Sequence, residues 1–169
     1  MTFKEGTAFE EGVGFRDKTI RALGRNHLKK FCSLCPNGMI VFPMFGTLLG
    51  IIRENDIIEH DGDIDVGFIG NDDLLYAYFI GIISNGWEMK RNQDNYLYTF
   101  IKNNIQIDMY RFVDNGERMN NIINGSYFID YDLFTPLKKI TFDNYEYNCI
   151  ADPVKFFERF YGNDWQTPK

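Results

Sequence analysis

The sequence is poor in cysteine: three in 169 residues, at positions 32, 35 and 149. An odd, small number builds no disulfide framework. Long apolar runs are missing too. The best candidate, "LLYAYFIGII" at 74–83, is too short to span a bilayer. The first residues, "MTFKEGTAFEEGVGF", lack the basic region and apolar stretch of a secretory signal. The chain as given therefore reads as soluble, intracellular and cytoplasmic, with no membrane span. Basic runs are also lacking, and the formal net charge is −6. That argues against a nucleic-acid partner gripped through its backbone charge, and leaves room only for a local phosphate pocket.

What is present is a globular composition, 44% hydrophobic and 17% aromatic, of a length that suits a single domain over 1–169. Residues 16–34 space Ile20, Leu23, Leu28, Phe31 and Leu34 as an amphipathic helix. "CPNG" stops it. "MIVFPMF" is a β-rich run, and "TLLGIIR" reads as a short helix after a tight turn at Gly46. "DIDVGFI" reads as a strand, and "NDDLLYAYFIGIIS" as a helix capped by Asn71 or Asp72. "NYLYTFI" and "IQIDMYRF" form a hairpin across Lys102-Asn103-Asn104, and "ITFDNYEYNCI" a second one turning at Asp143-Asn144. The last helix has Asp152 as its cap, Pro153 at its first position and Gly162 as its stop. These elements predict an α+β fold, a mixed β-sheet flanked by helices. Cys32-x-x-Cys35 has metal-ligand spacing, but a structural zinc takes four ligands. Cys149 with His27 or His60 completes such a set on paper; the apolar pattern favours Cys32 as a core residue.

The informative stretch is "GTLLGIIRENDIIEHDGDIDVG", 46–67. Asp61, Asp63 and Asp65 occupy every second position, one face of the chain wherever it is extended. Like charges this close are costly unless a cation lies between them or one takes a proton. Hard divalent cations prefer oxygen ligands, so the pattern suits Mg²⁺ or Mn²⁺ in phosphoryl transfer. Asp61 stays open between a metal ligand and a turn residue beside Gly62. In "IQIDMYR", Ile105, Ile107 and Met109 share one face and Gln106, Asp108 and Tyr110 the other. Asp108 is thus an acid inside an apolar strand, where Asp is disfavoured. If the two strands are neighbours, Asp108 meets Asp63 and Asp65. Gly46 permits close backbone approach, Thr47 offers a hydroxyl at a helix start, and Arg53 is a fixed charge able to hold a phosphate bidentately.

At "FGTLLGIIREND", "HDGDIDVG" and the separate acid of "IQIDMY", the chain resembles the LicD/fukutin family of the nucleotidyltransferase-fold superfamily. The resemblance is strongest over 40–169, where the chain ends on a Tyr-Gly-x-x-Trp pattern. It implies a nucleotidyltransferase-like fold. It also implies metal-dependent transfer of a phospho-group, such as phosphocholine or an alditol phosphate, from a CDP-linked donor to a sugar hydroxyl of a glycan. By position, Asp63 and Asp65 are then metal ligands, Asp108 the third catalytic acid, and Gly46, Thr47 and Arg53 donor-binding residues. Two departures stand out: Gly62 interrupts an acidic run that many bacterial members keep unbroken, and His60 replaces a frequent aromatic. Two other readings stay open. One is nucleotidyl transfer from a nucleoside triphosphate; the other is a catalytically silent nucleotide- or metal-binding module.

Overall fold

The computed structural model describes residues 14–114, 118–121 and 127–169. The elements run α1 (Lys18–Ser33), β1 (Ile40–Pro43), α2 (Phe45–Glu54), β2 (Ile64–Ile69), α3 (Asp72–Ser84), β3 (Glu88–Gln93), β4 (Leu97–Lys102) and β5 (Ile105–Asp114). They continue through β6 (Arg118–Asn121), β7 (Tyr127–Asp130), α4 (Tyr131–Phe134), β8 (Lys138–Phe142), β9 (Tyr145–Cys149) and α5 (Pro153–Tyr161). The α+β architecture expected from the sequence is the one observed.

The main sheet has the order β1-β2-β5-β4-β3, with β6 on β5 and β7 on β6, while β8 and β9 form a separate ribbon. It is mixed: β2 and β5 are parallel, and β1–β2, β5–β4 and β4–β3 are antiparallel. Both hairpin turns expected from the sequence demand positive φ at two successive residues, and short polar side chains supply them. Asn103 and Asn104 stand at φ 51 and 61, Asp143 and Asn144 at 48 and 60. Asn71 caps α3 by accepting the Leu74 N–H at 2.9 Å, and Asp152 caps α5 from the Lys155 N–H at 3.0 Å.

Period-two alternation sorts the side chains onto two sheet faces. Ile64, Val66 and Phe68 of β2 and Ile105, Ile107 and Met109 of β5 join Leu28 and Phe31 of α1 and Tyr78 and Ile82 of α3 in one core. Phe42 and Phe112 point the other way, into a second core with Leu48 and Leu49 of α2 and Phe156 and Phe157 of α5. Asp65 and Asp108 belong to this second face by register.

Four elements escaped the sequence reading. β3, "EMKRNQ", is an edge strand whose side chains are exposed or half-buried, so it carries no apolar alternation to read. β6, β7 and the one-turn α4 are short. Two boundaries also differ. α2 begins at Phe45, ahead of the expected start, and the strained residue at its entrance is Phe45 (φ 47) rather than Gly46. β2 begins only at Ile64. The alternation therefore does not run back to Asp61, whose N–H closes a turn onto the Ile58 carbonyl at 3.1 Å.

Candidate active site

Parallel pairing of β2 with β5 sets Asp65 directly beside Asp108. Asp63, at the mouth of β2, completes the group: one carboxylate oxygen from each of Asp63, Asp65 and Asp108 lies within 4.8 Å of the others. Among the described residues no other set of three such side chains gathers this way. Asp63 and Asp65 are half-buried and Asp108 is buried. Burial, then the Asp108 and Asp61 carboxylates, pushes Asp63 up to about 7. Burial, then Asp63 and Asp108, raises Asp65 well above the usual carboxylate range. Asp61 is raised by burial as well. Three acids that resist ionisation together form a site with a deficit of positive charge.

The surroundings hold these acids in place. Thr99, across the β4–β5 ladder from Asp108, is fully buried, and its hydroxyl donates to Asp108 Oδ1 at 2.6 Å. Gln106 Nε2 donates to both Asp108 oxygens at 3.2 Å. The sequence reading missed both residues. Gln106 shares the Asp108 face two positions away, a legible signal; Thr99 depends on strand register, which the sequence does not show. Thr47, 1% exposed, accepts the Asp65 N–H on its Oγ1 at 2.8 Å. It ties α2 to β2 from inside. The Gly46 N–H, at the start of α2, faces the Asp65 carboxylate. A Cβ on Gly46 would stand 2.6 Å from Asp61 Oδ2, so this glycine admits a carboxylate rather than making a turn.

Asp61 sits at the edge of the cluster. Its Oδ1 accepts the Gly62 N–H at 3.0 Å, as a turn residue does, while its charge acts on both Asp63 and Asp65. Beside Asp65 opens a cleft of about 430 Å³, lined among others by Gly46, Arg53, His60, Asp61, Tyr161 and Trp165. Arg53 thus faces the cleft that Asp65 faces. Its Nε donates to Glu54 Oε1 at 3.0 Å and its Nη1 to the Trp165 carbonyl at 3.1 Å.

The cysteines do not join any of this. Cys32 packs in the first core and Cys149 in the second. Cys35 is half-buried, its thiol donating to the Met39 carbonyl at 3.4 Å. Burial pushes Cys35 and Cys149 each up to about 11, which disfavours the thiolates a zinc would need. His27 instead meets Asn103 Oδ1 through Nε2 at 3.1 Å.

The sheet agrees with the comparisons. The description "LicD/FKTN/FKRP, nucleotidyltransferase domain" matches residues 38–149. The chain belongs to the LicD/FKTN/FKRP family. The match spans α2, the acidic motif, Thr99 and Asp108. An uncharacterized protein of Rickettsia typhi, RT0683, is 28% identical over 121 residues, 69% of this LicD-type chain, which spans 38% of that relative's length. Two solved structures share the fold. ANT(2")-Ia in complex with adenylyl-2"-tobramycin has a TM-score of 0.58 at 13% identity, over 89% of this chain and 79% of its own. The lincosamide antibiotic adenylyltransferase LnuA, lincomycin-bound, has 0.53 at 10% identity, over 94% and 89%. LicD-family membership and the nucleotidyltransferase fold support a transferase of phospho- or nucleotidyl groups. Among the described residues no helix is long and apolar enough to cross a membrane.

Proposed function

We propose that the protein is a metal-dependent phosphotransferase. It moves a phospho-group, of the phosphocholine or alditol-phosphate kind, from a CDP-linked donor to a sugar hydroxyl of a glycan. The observation carrying this reading is the meeting of Asp63, Asp65 and Asp108 across two parallel strands in a chain of the LicD family.

The donor set fits Mg²⁺ or Mn²⁺. It is all carboxylate oxygen and partly buried, the ligand chemistry a hard cation prefers. Asp63, Asp65 and Asp108 would hold the ion, and Asp61, whose charge acts on Asp63 and Asp65, would add its charge beside them. When bound, such an ion neutralises phosphate oxygens and orients them for in-line displacement. The rest falls to the chain. Asp108, steadied by Thr99 and Gln106, takes the proton of the attacking hydroxyl. The acceptor oxygen bonds to the phosphorus bearing choline or alditol, the bond from that phosphorus to the bridging oxygen breaks, and CMP leaves with the electron pair. Gly46 lets the donor approach α2 closely, Thr47 fixes the backbone under Asp65, and Arg53 offers permanent charge beside the departing phosphates.

A second reading is favoured by the adenylyltransferases that share the fold. Here the hydroxyl attacks the α-phosphorus of a nucleoside triphosphate and pyrophosphate leaves. One experiment separates the two. CDP-choline, CDP-linked alditols and the four common nucleoside triphosphates are each incubated with the protein, Mg²⁺ or Mn²⁺ and a panel of sugars, and products are read by mass spectrometry. CMP release with sugar-phosphoester formation supports phosphotransfer. Pyrophosphate release with nucleotidylated sugar replaces it with the second reading. Turnover of none of them sinks both and leaves a binding module.

A further inference from the structure

α3 is apolar on both of its sides. Its central run, residues 74–83, carries no charged residue. Leu75, Tyr78 and Ile82 face the first core. Tyr76, Ile80 and Ile83 point outward, 63%, 68% and 52% exposed. Among the described residues no other element leaves three large apolar side chains in solvent. A helix that is apolar all round belongs in an interior, and this one is covered on one side only.

The exposed stripe has its own order. Asp73, Tyr76, Ile80 and Ile83 follow at steps of three, four and three residues, the spacing by which a helix presents one seam to another helix. Beside the seam lie Ala77, which is exposed, and Gly81, where a Cβ would meet nothing within 4 Å. Both are small enough to let a second backbone approach. The two ends of the seam differ in charge. At the N-terminal end Arg111 takes Asp72 at 2.7 Å, and Asp73 stays exposed. At the C-terminal end Lys102 Nζ donates to the Asn85 carbonyl at 2.6 Å, while Glu88 and Lys90 pair with each other. One end is left with a carboxylate and the other with an ammonium.

We infer that this face takes a second copy of the chain, α3 lying antiparallel on α3 about a two-fold axis near Ile80. The axis sets each Ile80 beside its own counterpart, each Tyr76 over the partner's Ile83, and each Asp73 near the partner's Lys102. One patch then serves both copies, as an isologous interface requires. The end charges select this arrangement, because a parallel pair would bring Asp73 against Asp73 and Lys102 against Lys102. A lipid surface would bury the stripe too, but anionic headgroups repel the exposed acid and a chain of net charge −6. α3 has 13 residues, about 20 Å of helix at roughly 1.5 Å per residue. That covers less than the roughly 800 Å² per partner of a standard interface, so the dimer is reversible and depends on concentration. The inference is independent of the reaction proposed above: α3 lines neither the acidic cluster nor the cleft beside it.

Sedimentation velocity of the whole chain, from micromolar to millimolar concentration, tests it. Wild type should pass from monomer towards dimer as concentration rises. Ile80→Glu should stay monomeric, with the melting temperature of dilute wild type. Asp73→Lys should move the midpoint to about tenfold higher concentration. Adding Lys102→Glu to it should bring the midpoint back, since the swap restores both cross-pairs. Ile80→Cys gives a readout that needs no stable dimer: mild oxidation should join two copies through the symmetric position. Val154→Cys, on α5 and 43% exposed, should not be joined this way. A chain that stays monomeric to millimolar concentration, or a dimer that survives Ile80→Glu, overturns the inference. A chain that stays monomeric yet sediments with phosphatidylglycerol vesicles, and loses this on Ile80→Glu, assigns the face to lipid and overturns it as well.

Discussion

At the scale of single residues, the acids make the sharpest forecast. Asp63 is raised by burial and by Asp108 and Asp61, and Asp65 by burial and by Asp63 and Asp108, so a bound cation relieves a standing repulsion. Mg²⁺ or Mn²⁺ should raise the melting temperature, by the equivalent of about 2.7 kcal/mol at a hundredfold excess over Kd. Asp63→Asn with Asp65→Asn should abolish that rise without lowering metal-free stability; a rise of wild-type size in the double variant would place the ion elsewhere. Thr99 is the less obvious residue. Its hydroxyl is buried and donates to Asp108, so Thr99→Val removes a bond to a proposed metal ligand while keeping the shape. Metal affinity measured by titration should drop about 10–100-fold, the usual cost of losing a group that orients a ligand. Arg53 spans Glu54 and the Trp165 carbonyl with separate N–H groups, which a lysine point charge does not reproduce. Arg53→Lys should keep the metal-induced melting shift but weaken donor binding by on the order of 1.5–3 kcal/mol, roughly one to two decades. Unchanged kinetics with the correct donor would take Arg53 out of the donor site.

Elements set how close those residues come. α2 carries glycine at both ends of its Gly-Thr-Leu-Leu-Gly run for different reasons. Gly46 admits the Asp61 carboxylate, while a Cβ on Gly50 would stand 2.6 Å from the Asp56 carbonyl and 3.0 Å from Ile58 Cγ1. The loop after α2 therefore lies directly on the helix, and it is the loop that delivers His60, Asp61 and Asp63. Asp56 clasps it to α1 through Arg25 at 2.7 Å and Arg21 at 3.4 Å. Because the contact at Gly50 is with backbone, Gly50→Ala must move the loop, costing about 1–3 kcal/mol as overpacking does. Urea unfolding should show that loss, and metal affinity should fall with it. Gly46→Ala instead meets the far end of a rotatable side chain, so its stability cost should be smaller. If Gly50→Ala unfolds at the wild-type midpoint, the loop is not seated as described.

For the whole molecule, the acidic cluster dictates how stability responds to pH. Asp63 is held near 7 when folded against an ordinary value of 3.8, and Asp61 and Asp65 are raised in the same direction. Between those values Asp61, Asp63 and Asp65 bind more protons in the folded than in the unfolded chain and outnumber His27, which burial lowers and which works the other way, so metal-free stability falls as pH rises from about 4 towards 7. The helix-cap acids Asp17 and Asp152 and the Lys169-paired Asp164 are lowered instead. Their effect is felt only as pH drops through the acid range, outside this window. Thermal melts of the chelator-treated protein should therefore give a higher midpoint at pH 5 than at pH 7.5. Saturating Mg²⁺ should close or reverse the gap, since the ion binds the ionised carboxylates. A metal-free midpoint that climbs from pH 5 to 7.5 would mean the acids are not crowded as the structure has them.

The sequence by itself determined what local patterns encode. The Asn103-Asn104 and Asp143-Asn144 turns, the Asn71 and Asp152 caps and the alternation placing Asp108 opposite Ile107 and Met109 are all readable, because each depends on neighbours a few positions away. The acid pair Asp63 and Asp65 was readable as chemistry for the same reason. Only the tertiary structure decided the rest. That β2 lies parallel to β5, in a register setting Asp65 beside Asp108, follows from packing two apolar strand faces on α1 and α3, a long-range choice with no local signature. The same packing brought Thr99 under Asp108 and turned Thr47 inward to hold the Asp65 backbone. It also carried Tyr161 and Lys169 from the far end of the chain to the cleft beside Asp65. Side chains separated by scores of residues meet only when the core between them has closed.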